Sequence, residues 1–123
     1  MAKTVLIIDD SASMRQVVNF TLKTAGYAVV EAENGKDALD KLAGGLKPNL
    51  IICDVNMPVM NGIAFVTELK SLPDHQYTPV IMLTTEAGED MKLQVQMAGA
   101  KSWLVKPFRP EIALKAVQKL ILP

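Results

Sequence analysis

Scarcity is informative in this chain of 123 residues. A single cysteine is present, which excludes an internal disulfide and any metal site built on several thiolates. Neither charge is in excess, with 13 basic residues against 13 acidic ones, so nothing marks a general binder of nucleic acid or of an anionic membrane. Half of the residues are apolar, yet the apolar runs are only about four to six residues long, against roughly 20 for a membrane span. The start, Met1-Ala2-Lys3-Thr4, passes straight into such a run and lacks the longer apolar stretch and small-residue cleavage site of a secretory signal. A Gly-x-Gly-x-x-Gly turn, which a dinucleotide enzyme needs, is also missing. The expectation is one cytoplasmic, monomeric domain over residues 1–123, large enough for a real core but too short for a second domain.

What is present is a set of short polar elements, each placed where an apolar run stops. Val5-Leu6-Ile7-Ile8 ends at Asp9-Asp10, Leu50-Ile51-Ile52-Cys53 at Asp54, Val80-Ile81-Met82-Leu83 at Thr84-Thr85, and Trp103-Leu104-Val105 at Lys106-Pro107. Continuous Val, Ile and Leu runs with little alternation fit strands buried on both faces of a parallel sheet. A weaker run, Ala28 to Ala32, fits an edge strand. Helical spacing fills the gaps: Met14, Val17, Val18, Leu22 and Ala25 mark one face of a first helix, and Ala113, Ala116, Val117, Leu120 and Ile121 one face of the last. Asn34-Gly35 with Asp37 opens the second helix, Gly62 the third, and Pro110 suits the first position of the fifth. Strand–helix units of about 22 to 30 residues predict a doubly wound α/β domain.

In such a sheet the strand ends lie side by side. Asp9, Asp10 and Asp54 then share a crevice with Thr84 and Lys106. Crowded carboxylates repel by roughly 4 kcal/mol per pair at about 4 Å and an effective dielectric near 20, so the cluster must protonate or bind a cation. Mg²⁺ suits it, because it takes carboxylates, water and a phosphate oxygen. A carboxylate is also a nucleophile toward phosphorus and gives an aspartyl phosphate. Lys106 is placed to neutralise charge in that transfer, and the Thr84 hydroxyl can donate to a phosphoryl oxygen.

On these residues the chain resembles the receiver domains of two-component response regulators, and within them the free-standing, CheY-like chemotaxis type. The resemblance runs through Asp9-Asp10, then Asp54-Val55-Asn56-Met57-Pro58-Val59-Met60-Asn61-Gly62, then Thr84 and Lys106-Pro107-Phe108, and covers the whole chain. It implies a flavodoxin-like (βα)5 fold with strand order 2-1-3-4-5. It implies that Asp54 accepts phosphate from a CheA-like histidine kinase, and that Mg²⁺ is held by the side chains of Asp10 and Asp54, by the Asn56 carbonyl, and by Asp9 through water. Thr84 and Lys106 would contact the phosphoryl group, with Lys106-Pro107 a cis peptide. Asn56 and Glu86 would flank the mouth and tune dephosphorylation. Trp103 stands where many receivers place a Tyr or Phe that turns inward, and its indole is larger and carries a donor. The face of the fourth helix, fifth strand and fifth helix, with Lys92 and Gln96 exposed, would meet a flagellar switch protein or another target. The chain would modify itself and reset slowly rather than turn over a substrate.

Plainer readings apply elsewhere. Cys53 is expected as a buried packing thiol, and His75, in the polar Leu72 to Thr78 connection, as a solvated surface histidine. Met57 and Met60 belong to the loop after Asp54. A flavin carrier shares the fold, but Asp9 and Asp10 would repel a flavin phosphate. A Mg²⁺-dependent phosphatase with an aspartyl intermediate is the closest enzymatic rival. It usually carries an acid two residues after the nucleophile, where this chain has Asn56, and a substrate cap for which no length is spare.

Overall fold

The computed structural model describes residues 2–85 and 88–121. Strands and helices alternate along the chain as β1 (Thr4–Ile8), α1 (Ala12–Thr24), β2 (Ala28–Ala32), α2 (Gly35–Ala43), β3 (Leu50–Asp54), α3 (Gly62–Leu69), β4 (Val80–Thr84), α4 (Glu89–Ala98), β5 (Ser102–Val105) and α5 (Pro110–Leu120). Every strand pair is parallel, and the order across the sheet is β2-β1-β3-β4-β5. The doubly wound α/β fold expected from the sequence is the fold adopted.

Helices cover both faces, which explains why the central strands are continuously apolar. Successive side chains on β1 point to opposite sides. Leu6 and Ile8 therefore join a core beneath α2, α3 and α4 that includes Ile51, Phe65 and Met82. Val5 and Ile7 join a second core beneath α1 and α5 with Ile52, Leu83 and Val117. Each fully buried Leu, Ile or Phe contributes about 1.5–3 kcal/mol, so the two cores together anchor the strand ends. Ala28–Ala32 lies at one edge, in agreement with its weak composition, and β5 lies at the other.

Helix starts are set by short polar side chains. Ser11 Oγ accepts from the Met14 amide, Asn34 Oδ1 from Asp37, and Asn61 Oδ1 from Ala64. Each satisfies a donor that the first turn leaves unpaired, worth about 1 kcal/mol. Pro110 opens α5 as anticipated, since its missing N–H is not needed there.

Two expectations need correction. The apolar face assigned to α1 is too wide: Val18 and Leu22 are buried, but Val17 is 49% exposed and Ala25 is also exposed. Helix α1 meets the sheet along a narrower stripe because β2, beneath it, is an edge strand. His75 is not solvated but only 7% exposed. After α3 the chain winds through consecutive tight turns, with Leu72 N–H donating to Leu69, His75 N–H to Leu72 and Thr78 N–H to His75. That winding folds the polar connection back against α2 and α3, a placement that composition does not reveal.

Candidate functional site

The register of β1 against β3 assembles the site. Ile8 lies opposite Cys53, so the next residues, Asp9 and Asp54, leave adjacent strands side by side. Ligand oxygens of Asp9, Asp10 and Asp54 all fall within 4.8 Å of one another. Asp9 and Asp54 are 2% and 3% exposed, whereas Asp10 faces solvent. Thr84 ends β4 and is buried. The Lys106 amide donates to the Thr84 carbonyl at 2.7 Å, which carries β5 past the end of β4, and the Lys106–Pro107 peptide is cis. From there Lys106 Nζ reaches to 3.3 Å from Asp54 Oδ1 and 3.7 Å from Asp9 Oδ2.

Electrostatically the crevice is under-neutralised. Burial pushes the Asp54 carboxyl above the usual carboxylate range, and the Asp9 charge adds to this, against lowering by Lys106 and by the Asn56 amide. Burial likewise raises Asp9, opposed by the Ser11 amide and Lys106 and reinforced by Asp10. The Ser11 N–H donates to Asp9 Oδ1 at 2.9 Å, but Asp9 Oδ2 is buried with no hydrogen-bond partner, since Lys106 stands too far off to be one. One lysine cannot balance three carboxylates. The orphaned oxygen and an all-oxygen donor set fit a hard divalent cation. Cys53 is fully buried and its thiol is held well above the ordinary range, by burial first and then by Asp54 and Asp9, so it is the inert packing group anticipated.

The loop after Asp54 is closed on itself. Val55 N–H donates to Leu83 and accepts, through its carbonyl, from Gly62 N–H at 2.8 Å. Between them Met60 N–H donates to the Pro58 carbonyl at 2.8 Å, closing a three-residue turn around Val59, whose φ is 70°. A β-branched residue there is strained by about 1–3 kcal/mol, and the turn lays Met60 against Gly35 at the start of α2. Asn56 is exposed on this loop.

Of the other residues singled out from the sequence, Trp103 is half-buried on β5 against the α2–α3–α4 core, opposite Met82. Lys92 and Gln96 are exposed on α4. Glu86 lies outside the described residues. Sequence reasoning missed Arg15, whose Nη1 donates to the Asp9 carbonyl at 2.6 Å while Nε pairs with Glu31 at 2.9 Å. It clamps the backbone of the first acid. Its partner comes from β2, so no local pattern could have announced it.

The chain matches the family model of the response regulator receiver domain over residues 5–118, and it belongs to that family. Within it, the chain is similar to chemotaxis proteins. It is 38% identical to the chemotaxis protein CheY of Bacillus subtilis over 122 residues, covering 98% of this chain and 99% of that one. It is 38% identical to chemotaxis protein CheY1 of Helicobacter pylori over 118 residues, covering 95% and 94%. The structure of CheY4 from Vibrio cholerae superposes with a TM-score of 0.92 at 45% identity, over 98% of this chain and 99% of that chain.

Proposed function

We propose that this protein is a phosphorylation-activated response regulator of a chemotaxis-type two-component system, and that Asp54 is its phosphoacceptor. The observation that carries the proposal is a buried carboxylate at a strand end with a lysine ammonium 3.3 Å away and a second buried acid beside it. An Asp54 oxygen attacks the phosphorus of a phosphohistidine on a CheA-like kinase. The P–N bond breaks, its electron pair returns to the imidazole nitrogen, and that nitrogen takes up a proton. Asp9, Asp10, Asp54 and the Asn56 carbonyl would hold Mg²⁺, which when bound neutralises charge and orients a phosphoryl oxygen. Lys106 holds its ammonium against the same oxygens, and Thr84 offers its hydroxyl to the phosphoryl group. Attack by water on the aspartyl phosphate resets the protein, with Asn56 and Glu86 governing access.

Intact mass tests this directly. Incubation with Mg²⁺ and acetyl phosphate is expected to add one phosphoryl group, with none added in Asp54→Asn or in EDTA. Continuous consumption of acetyl phosphate without an adduct would favour the aspartyl phosphatase reading, against which Asn56 stands in place of a second acid.

The added charge of about −1.5 to −2 is bound better by one arrangement of the Thr84 end of β4, and the population shifts toward it. The α4–β5–α5 face around Trp103, with Lys92 and Gln96, then meets a flagellar switch protein. A role as a phosphate sink without such a partner uses the same acceptor chemistry. Trp103 is the only tryptophan, so its fluorescence reports the relay. Phosphorylation should change that emission in the wild type, and Thr84→Ala should take up phosphate yet lose most of the change. An equal change in both would sink the relay. No helix among the described residues is long and apolar enough to cross a membrane, and a monomer working in the cytoplasm is part of the same proposal.

A further inference from the structure

We propose that the cleft between α2, α3 and the α3–β4 connection is a docking groove for a partner-protein segment that carries a bulky apolar anchor flanked by Lys or Arg. The cleft measures about 450 Å³, within the range of about 300–1,000 Å³ that ligand pockets occupy. Leu39, Leu42 and Leu72 line it, and Asp40, Glu68 and Asp74 stand around it with exposed side chains. Among the described residues none of these three carboxylates has an ion pair or a side-chain hydrogen bond, and no Lys or Arg lines the cleft. Charge complementarity therefore calls for a cationic occupant.

His75 is the independent sign of a ligand. The residue lines the same cleft and is 7% exposed, and its ring has no hydrogen-bond partner among the described residues, although its backbone groups are paired to Leu72 and Thr78. Its ring nitrogens are not among the buried unpaired polar atoms of the described residues, so they reach solvent and can meet a ligand there. An imidazole can donate to a carbonyl of a docked chain or accept from its N–H. A metal ion does not fit, because the only group of three convergent acids or histidines among the described residues is Asp9, Asp10 and Asp54. Dispersed carboxylates around an apolar floor instead match side chains spread along a peptide. The cleft adjoins the connection that leads into the amino end of β4, opposite the strand ends that carry Asp54 and Thr84. A segment docked there leaves Asp54 and the α4–β5–α5 face open.

Selection from a displayed library of random 12-residue peptides on the full-length chain tests this, followed by titration of synthetic winners. The expected winners carry Trp, Phe or Leu beside Lys or Arg, and Asp40→Lys with Glu68→Lys weakens them at least tenfold. His75→Phe weakens them severalfold, and Lys92→Glu leaves them unchanged. The charge-reversed protein should melt normally and still take up phosphate on Asp54, so failure here is distinguishable from failure of the receiver reading. Absence of winners sensitive to the Asp40 and Glu68 changes overturns the proposal. So do winners that are acidic or purely apolar.

Discussion

Gly62→Ala is expected to lower stability by about 2–4 kcal/mol and to abolish phosphoryl uptake on Asp54, measured by urea unfolding and intact mass on the same sample. Gly62 is the first residue of α3 and donates its N–H to the Val55 carbonyl, drawing the helix start under the end of β3. A Cβ there would stand 2.9 Å from Val55 Cα and 2.7 Å from Met82 Cε, and closer still to the Asp54 carbonyl oxygen. Backbone atoms cannot step aside as a flexible side chain can, so either α3 retreats or the end of β3 shifts. Both move the carboxylate away from Lys106. Gly35→Ala is the control, because the atoms nearest its Cβ all belong to the Met60 side chain, from 2.9 Å, and that chain has rotamers to spare. A loss below about 1 kcal/mol in Gly62→Ala would mean that the loop can relax as a unit, against the close packing described.

What the sequence made legible follows from which interactions are local. Runs such as Leu50 to Cys53 announce strands because both faces are buried, and Asn34 announces a helix start because the cap reaches only three residues ahead. The acids at the strand ends were readable for the same reason. Their meeting followed from reading the runs as parallel strands of one sheet, but the Ile8–Cys53 register that sets its geometry is not written in the periodicity. Non-local pairing also hid Arg15, held by Glu31, and the burial of His75, produced by turns that press a polar loop onto α2 and α3. Met57 and Met60 were legible as part of the loop after Asp54, but that this loop places Val59 at a positive φ is a property of its closed form rather than of the residues in it.

Asp9→Asn is expected to melt about 3–6 °C above the wild type in EDTA at neutral pH, a gain of about 1 kcal/mol or more, and below it in saturating Mg²⁺. The substitution is nearly isosteric and keeps the acceptor that the Ser11 amide uses. It removes one of two buried charges that lie together with a single ammonium between them. Asp9 and Asp54 both have carboxyls raised above the ordinary value of 3.8, so between that value and the raised one the folded state binds more protons than the unfolded state. Stability of the metal-free protein therefore falls as pH rises through that window, and the loss is complete above the folded-state values. In Asp9→Asn one contributor disappears and the other is relieved, so the slope flattens. Bound Mg²⁺ favours the ionised carboxylates and stabilises the wild type by about 1.4 kcal/mol when its concentration is tenfold above Kd, whereas the variant, with one oxygen donor fewer, gains less. Melting curves in EDTA and in Mg²⁺ between pH 4 and pH 8 separate these effects. A variant that melts below the wild type without metal would show that Asp9 is held by Ser11 and Lys106 more firmly than its burial opposes it, and the crevice would then need no cation for its stability.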